Sequence, residues 1–340
     1  MFSQSPRLAI VILNYKGYKD TIACLESVCS GPPRGCVVIV VDNFSLDDSV
    51  AQLKRWMQNY LPPLTETSWG GMSRTCTIND GQANAKPGII LLEARNNSGF
   101  SGGNNLGIRY ALQLGATWIL LLNNDTIVRW DSLERLVEGA EGAGAHLAGC
   151  TIYEYADPCK AWYLGGRFGW WADTDLKCLP KGTSEAQGTI ETDWITGCCM
   201  LIKREVFERV GLLDENSFLY CEDVDFCRRA AKVGFRRILV LGSQIYHKAG
   251  RSTGVETALV RYHATRSRVY FHRKHYSLPG HASFLLVFSL SRFLRAFCWL
   301  LQGRPDLGSA SLRGLWDGMF SIRALGGGYF PESGNPPIAG

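Results

Sequence analysis

Four segments of the chain are aliphatic almost without interruption: 7–13 (RLAIVIL), 36–41 (CVVIVV), 88–92 (GIILL) and 117–122 (TWILLL). Strands buried on both faces of a parallel sheet read this way, whereas half-exposed strands alternate. Between them the pattern predicts helices over 18–30, 46–60, 104–114 and 131–142, with Ser45 as the N-cap of the second, and a fifth strand over 146–150. Strands alternating with helices predict an α/β fold, a Rossmann-like and mostly parallel sheet with helices on both faces. Residues 62–87, rich in Gly, Pro, Thr and Asn, read as a surface insertion. Ligands of such sheets bind beyond the carboxyl ends of the strands. Those ends are Asn14-Tyr15, Asp42-Asn43, Asn96-Asn97 and Asn123-Asn124-Asp125. One polar residue at a strand end is an ordinary turn signal, but four such ends on one edge predict a polar pocket.

Beyond residue 150 the pattern changes. Residues 160–195 carry Trp162, Trp170, Trp171 and Trp194 among many glycines, which suggests hairpins and aromatic-lined loops. Helices are expected near 203–209 and 222–233, a strand over 236–241, and helices over 255–275 and 281–302. The last places Arg292, Arg295, Gln302 and His281 within one arc, interrupted by Phe288 and Trp299, with Phe and Leu filling most of the rest. That composition suits a helix lying on a membrane, or a helix packed on the catalytic domain or at a dimer contact. No run of about 18 uncharged apolar residues is present, so no transmembrane helix is expected, and the start of the chain lacks a signal-peptide pattern.

Composition narrows the class. Hydrophobic residues make up 46% and charged residues 20%, which excludes disorder as the main state. Twelve cysteines suggest a disulfide framework until their spacing is read. There is no Cys-x-x-Cys, Cys198 and Cys199 are adjacent, and Cys36 and Cys150 sit in apolar runs, so buried reduced thiols are expected rather than bridges or a zinc site. The net charge of +5 conceals an asymmetry: residues 226–304 hold 15 Lys/Arg and one acid, Glu256, and the remainder holds 21 bases and 30 acids. A basic segment on an acidic body points to an anionic partner: nucleic acid, a membrane surface or a phosphorylated substrate.

Several groups could carry chemistry, each with a plainer alternative. Asp42, at a strand mouth, can accept from a base imide or a ribose hydroxyl, or can form an Asx-turn. Glycines in 96–107 could let backbone N–H groups approach an anion, or make a tight turn. Asp125 could hold a hard divalent cation against diphosphate oxygens, or sit in a turn before the helix at 131. Glu222, Asp223 and Asp225 close a stretch of five acids within twelve residues. Clustered carboxylates raise one another's pKa, which suits a general base, although acids also favour helix starts. His247 could complete a metal site with Asp125.

Seven stretches occur in an order that resembles a family 2 glycosyltransferase of the GT-A fold, most like bacterial rhamnosyltransferase-like members. They are VILNYKG (11–17), VVDNFSLDDS (40–49), NNSGFSGGNNLGI (96–108), LLNNDT (121–126), DWITGCCMLIKREVFERVGLLDE (193–215), YCEDVDFCRRAAKVGF (220–235) and the pair His247 and Ser252. The resemblance covers roughly residues 7–275 and implies a catalytic domain over 1–275. That domain would comprise a nucleotide-sugar half (1–150) and an acceptor half (151–275), with a helical extension over 276–340.

It implies inverting transfer from a nucleoside-diphosphate sugar, dTDP-rhamnose first and a UDP-hexose next, to a saccharide acceptor that many relatives carry on a lipid. Asp42 would contact the base, with Asn14, Tyr15 and Asn43 nearby. Asn96, Gly102, Gly103 and Asn104 would lie near the donor, and Asn124 near ribose or phosphate. Thr196 and Gly197 would line the pocket under the sugar. Asp125, assisted by His247, would hold Mg²⁺ or Mn²⁺. Asp223 would be the general base, with Glu222 orienting acceptor or donor. The setting would be cytoplasmic, on the inner face of the cell membrane, and a homodimer is compatible with the pattern.

The metal motif is Asn-Asn-Asp rather than Asp-x-Asp, so one carboxylate is missing, and the insertion lies outside the resemblance. A nucleotidyltransferase would need a Gly- and Arg/Lys-rich loop after the first strand, where this chain has Asn14-Tyr15-Lys16-Gly17. A non-catalytic binding subunit would share the fold but would not need the remaining matched positions. The basic segment contains no recognised RNA or DNA motif, so nucleic acid is not expected.

Overall fold

The computed structural model describes residues 5–77, 86–169, 174–175, 188–248 and 257–320. In chain order, β1 (Leu8–Asn14), α1 (Tyr18–Ser30), β2 (Cys36–Asp42) and α2 (Ser49–Tyr60) come first, then β3 (Leu64–Trp69), β4 (Met72–Thr77), β5 (Gly88–Glu93) and α3 (Gly99–Gln113). β6 (Trp118–Asn123), β7 (Thr126–Val128), α4 (Ser132–Gly142) and β8 (Leu147–Glu154) follow. Short strands β9 (Ala161–Tyr163), β10 (Gly166–Arg167), β11 (Thr174–Asp175) and β12 (Thr189–Glu191) lead to β13 (Cys199–Lys203), α5 (Arg204–Val210), α6 (Glu222–Lys232) and β14 (Arg237–His247). Helices α7 (Ala258–His275), α8 (Leu278–Leu301) and α9 (Pro305–Phe320) complete the described chain.

A twelve-stranded sheet runs β12-β14-β8-β13-β6-β1-β2-β5-β4-β3, with β7 on β14 and β9 on β8. The four aliphatic runs form its parallel centre, β6-β1-β2-β5. Register places Asn14 opposite Asp42, and Leu13 opposite both Val41 and Asn123, so three polar strand ends share one edge. Antiparallel pairs enter on both flanks, where β13 lies between β6 and β8 and β4 pairs β5, although β14 pairs β8 in parallel. The sheet is therefore mixed. β8 runs in the expected direction but is separated from β6 by β13, a five-residue strand that the sequence pattern does not reveal because it abuts α5.

The described part of the 62–87 insertion is not a loop. β3 and β4 form a hairpin that widens the sheet edge. Its turn is Gly70-Gly71, with φ of 57° and 77°, values that a tight hairpin demands and glycine supplies. Residues 78–85 lie outside the described residues.

Helix α3 begins at Gly99 rather than 104, so Gly102 and Gly103 are helical, not part of a loop. A Cβ at Gly103 would overlap Leu13 Cδ1, and one at Gly107 would overlap Val11 Cγ1. These glycines let α3 lie directly on β1. Helix α2 begins at Ser49 with Asp48 at the cap, which frees Ser45 for another role. β14 extends past the expected end at 241 to His247, with an irregularity between Val240 and Gln244. Every described cysteine is free, and Cys24, Cys150, Cys198, Cys199 and Cys227 are buried.

The chain divides into two compact units. A sheet unit comprises Met1–Asn96, Gly102–Asp214 and Glu222–Gly254, and a helical unit comprises Asn97–Ser101, Glu215–Cys221 and Val255–Gly340. In the helical unit α7 and α9 pack backbone to backbone at Gly314, where a Cβ would overlap the Tyr262 carbonyl. Tyr262 Oη donates to Asp317 Oδ2 at 2.7 Å. The sequence pattern misses α9 because its glycines weaken the helical signal. Helix α8 is long and apolar enough to cross a membrane by length and composition. Arg292 and Arg295 interrupt the uncharged run that the sequence criterion required.

Overpacking a close helix–sheet contact is destabilising. Gly107→Val is expected to lower the unfolding free energy by about 1–3 kcal/mol in urea titration. Gly142→Ala, at a position where a Cβ meets nothing within 4 Å, is expected to leave it unchanged or raise it.

Candidate active site

At the shared edge, polar side chains pair with one another across three elements. Asn124 Nδ2 donates to Thr21 Oγ1 at 3.0 Å, and Thr21 Oγ1 donates to Asn14 Oδ1 at 2.7 Å. Asn14 Nδ2 donates to Asp42 Oδ1 at 2.7 Å, and the Ser45 N–H donates to Asp42 Oδ2 at 2.9 Å. Asn14, Thr21 and Asp42 are buried, as an aliphatic sheet core requires of groups at its edge. Each oxygen of Asp42 has one partner, and an ionised carboxylate offers about four acceptor sites, so capacity remains for a ligand. The Asx-turn reading and the ligand reading of Asp42 thus coexist. Tyr15 and Phe44, each 41% exposed, flank this buried row in sequence. Ser45, expected as a helix cap, instead accepts from the Lys16 N–H at 2.9 Å.

The next pair depends on strand register. β7 pairs β14 antiparallel with Thr126 opposite His247, which sets His247 beside Asp125. His247 Nε2 and Asp125 Oδ1 are 3.1 Å apart, and both residues are buried. The Trp162 ring packs edge-on against the imidazole, with centroids 4.5 Å apart, and His247 Nδ1 is buried with no hydrogen-bond partner among the described residues. Adjacent ligands of an octahedral ion with bonds of about 2.1 Å stand about 3 Å apart, so this spacing fits two ligands of one divalent cation. A carboxylate plus an imidazole fits a transition-metal dication such as Mn²⁺ better than Mg²⁺, which takes oxygen ligands. No group of three or more His, Cys, Asp or Glu suited to a metal occurs among the described residues. Further ligands would therefore come from substrate oxygens or water.

The segment 196–199 joins this pair to the start of α6. The Asn123 N–H donates to the Cys198 carbonyl at 2.9 Å, and the Gly197 N–H donates to Asp223 Oδ2 at 2.9 Å. Burial pushes the Cys198 thiol far up, and the charges of Asp125 and Asp223 both add to the shift, so this side chain senses both carboxylates. Asp223 Oδ1 also accepts from the Val224 N–H at 2.8 Å. Thr196 is buried and its Oγ1 accepts from the Cys198 N–H at 3.3 Å. Burial, and next the charge of Asp223, push the Glu222 carboxyl well above its ordinary range, and Glu222 Oε2 has no hydrogen-bond partner among the described residues. Asp225 is a structural acid: it pairs with Arg229 at 2.8 Å, and Arg229 also donates to the carbonyls of Val210 and Leu212.

The edge therefore gathers Asn14, Asp42, Asn124 and Asp125 with His247, Thr196, Gly197 and Asp223. Asn43 and Asn104 are buried, and the Asn43 side chain lies against Gly103. Asn96 departs from expectation: β5 ends at Glu93, and Asn96 is exposed three residues beyond it. At the start of α3 the Gly99 N–H is taken by Asn97 Oδ1 and the Phe100 N–H by the Phe218 carbonyl, so those two amides are not open to an anion. Ser252, Trp170 and Trp171 lie outside the described residues. Sequence reasoning missed Thr21, whose signal is its first-turn position on α1 directly after Asn14. It also missed Asn105, which brackets Leu213 through both its carbonyl and its N–H.

In the helical unit, the segment preceding α6 is held by α7. Arg266 donates to the Asn216 carbonyl at 2.7 Å, Ser267 donates to the Leu219 carbonyl at 2.8 Å, and the His263 ring stacks on Phe218 at 4.6 Å. Tyr220 and Cys221 both adopt left-handed φ, 70° and 65°, immediately before Glu222. Such strain in non-glycine residues persists only where neighbours enforce it.

Two outcomes follow from these contacts. Asn14→Ala strands the buried Asp42 Oδ1, while Thr21 Oγ1 keeps the Gly17 carbonyl as acceptor, and is expected to cost about 1–3 kcal/mol in denaturant unfolding. Glu222 has a raised pKa in the folded state, so the stability it contributes is complete below its ordinary value of 4.5 and is lost as pH rises through the folded value. Glu222→Gln removes that loss. The stability of the variant relative to wild type is expected to increase with pH from 4.5 upward, read by unfolding across a pH series.

Residues 72–211 match the model for glycosyl transferase family 2. A low-salt glycan biosynthesis hexosyltransferase of Haloferax volcanii is 27% identical over 234 residues, 66% of this chain and 62% of the relative. The dTDP-rhamnosyl transferase of Shigella flexneri is 21% identical over 259 residues, 72% of this chain and 73% of the relative. An N-acetylglucosaminyl-diphospho-decaprenol L-rhamnosyltransferase of Mycobacterium tuberculosis is 38% identical over 65 residues, 19% of this chain and 21% of the relative. The chain thus spans less than two thirds of the haloarchaeal and mycobacterial proteins. Among solved structures, GalNAc-T7 with UDP, GalNAc and Mn²⁺ superposes with a TM-score of 0.58 at 14% identity, over 80% of this chain and 48% of that one. A mannosyltransferase of Pyrobaculum calidifontis with GDP-Man and Mn²⁺ gives 0.54 at 14% identity, over 94% of this chain and 88% of that one. These two likenesses bear on the fold alone. The match over residues 72–211 and the rhamnosyltransferase and hexosyltransferase relatives make this chain similar to family 2 glycosyltransferases, and the two superpositions support a GT-A fold.

Proposed function

We propose that this chain is an inverting, metal-dependent glycosyltransferase. It moves a sugar, rhamnose by preference, from a dTDP or UDP carrier to a saccharide hydroxyl in cell-surface polysaccharide or glycolipid assembly. The observation that carries this reading is the joining of the Asp125–His247 pair to Asp223 through residues 196–199. It sets a candidate cation site and a candidate base around one pocket edge. The names of the Shigella and mycobacterial relatives favour a deoxythymidine carrier, rhamnose and a lipid-linked acceptor. Such an acceptor puts the work at the cytoplasmic face of a membrane.

Asp42 and Asn14 bind the base at the ends of β2 and β1, and the rings of Tyr15 and Phe44 offer it apolar surface. Asn124 and Thr21 fix the ribose side of the pocket. Asp125 and His247 would hold a divalent cation, and its charge would offset negative charge on the departing diphosphate. Asp223 takes the proton from the acceptor hydroxyl as that oxygen attacks the anomeric carbon from the face opposite the diphosphate. The Gly197 amide holds one oxygen of Asp223 and so orients the carboxylate. Glu222, whose carboxyl burial pushes upward toward the protonated form, lies next to Asp223 and would orient a sugar hydroxyl. A single displacement needs one base and no protein nucleophile.

Loss of a general base typically costs about 10²–10⁴ in rate. Asp223→Asn is expected to lower turnover by about that factor while donor affinity, read by calorimetry, stays within about twofold. Near wild-type turnover would remove Asp223 from this role. Asp125→Ala is expected to abolish the difference in nucleotide affinity between Mn²⁺ and EDTA. Retention of that difference would move the cation elsewhere.

A further inference from the structure

Helix α8 has two unlike faces. Phe284 and Trp299 are its buried residues, and Phe284 forms a small core with Val269 and Leu315, against which Leu285 and Phe288 pack. On the other side Leu286, Leu290, Phe293, Leu294, Phe297 and Leu301 are each 57–75% exposed. Their spacing by threes and fours makes one apolar stripe along four turns. Single exposed apolar residues are ordinary, but a continuous stripe of large ones marks an interaction face.

Charge decides what covers it. Helix α8 carries two arginines and no acid, and residues 257–320 hold nine Lys/Arg against two acids, Asp306 and Asp317. A second copy docked through the same face would add a unit of like net charge and leave the positive charge of both uncompensated. Anionic lipid headgroups attract that charge instead. Arg292 and Arg295 lie over the rings of Phe288 and Trp299, on the side of the helix away from the stripe. At 1.5 Å per residue the helix is about 36 Å long, enough to span a bilayer. Spanning, however, would set both arginines at acyl depth, whereas lying in the plane keeps them at the headgroups.

We propose that α8 lies in the plane of an anionic lipid bilayer, with the Leu286–Leu301 stripe sunk into the acyl boundary and the basic side chains of the helical unit held by headgroup phosphates. The surface would bring a lipid-linked acceptor to the enzyme, and to that extent it rests on the function proposed above. Lipid binding is read without any transfer, so failure of one is separate from failure of the other.

The test is co-sedimentation of the full chain with phosphatidylglycerol-containing vesicles and with pure phosphatidylcholine vesicles. Wild type is compared with the variant L290E/F293E/F297E, whose three exposed positions contribute nothing to the buried core, and its fold is checked by circular dichroism. Wild type is expected to partition to the anionic vesicles about 100-fold or more better than the variant. It is also expected to bind less at raised ionic strength and to leave the vesicles in alkaline carbonate. Equal binding by the variant, or no preference for anionic vesicles, overturns the proposal. Retention through carbonate overturns the in-plane placement in favour of a spanning helix. A lipid-free dimer that the variant dissolves assigns the face to a second copy and overturns it as well.

Discussion

The hydrogen bond between Asn14 and Asp42 is the constraint on which the rest of the site depends. Parallel pairing of β1 with β2 sets these two residues opposite each other at the buried end of an aliphatic sheet. Unpaired polar groups there would cost more than the pairing yields, so the network must close on itself. It closes through Thr21 toward Asn124 on one side and through the Ser45 amide on the other. The same pairing that satisfies the edge also fixes the direction of each side chain. A ligand meets a rigid polar surface, and the cost of ordering it was met on folding.

Around that surface the antiparallel flank does different work. β13 and β14 bring in residues from the second half of the chain: Thr196 and Gly197 just before β13, and His247 at the end of β14. One pairing, Thr126 opposite His247, turns a lone carboxylate after β6 into a carboxylate–imidazole pair. The polar groups at the parallel edge and Asp223 on α6, the proposed base, thus come from distant stretches, joined through two backbone amides, those of Asn123 and Gly197.

The parallel centre was legible because Leu8–Leu13, Val37–Val41 and Trp118–Leu122 are apolar without alternation, which only a doubly covered strand tolerates. Asp42, Asp125, Asp223 and His247 were legible from position and motif order. Several features were not. β13 is too short to show a period before α5 begins, and the two glycines of the β3–β4 turn were read as loop composition rather than as a hairpin signal. The sequence pattern starts this helix at 104 and reads Gly102 and Gly103 as loop because glycine depresses helix propensity, yet Gly103 and Gly107 admit α3 close against β1. The Asp125–His247 distance depends on long-range register, which no local pattern encodes. Thr21 and Trp162 have meaning only once Asn14, Asn124 and His247 stand beside them.

The central claim, that one pocket edge binds both nucleotide and cation, is tested most directly by a crystal structure with dTDP and Mn²⁺ recorded at the manganese absorption edge. The account predicts an anomalous peak within bonding distance of Asp125 and of His247 Nε2, bridged to diphosphate oxygens, with the thymine ring beside Asp42. A nucleotide bound away from the ends of β1 and β2, or a manganese peak remote from Asp125, would contradict it.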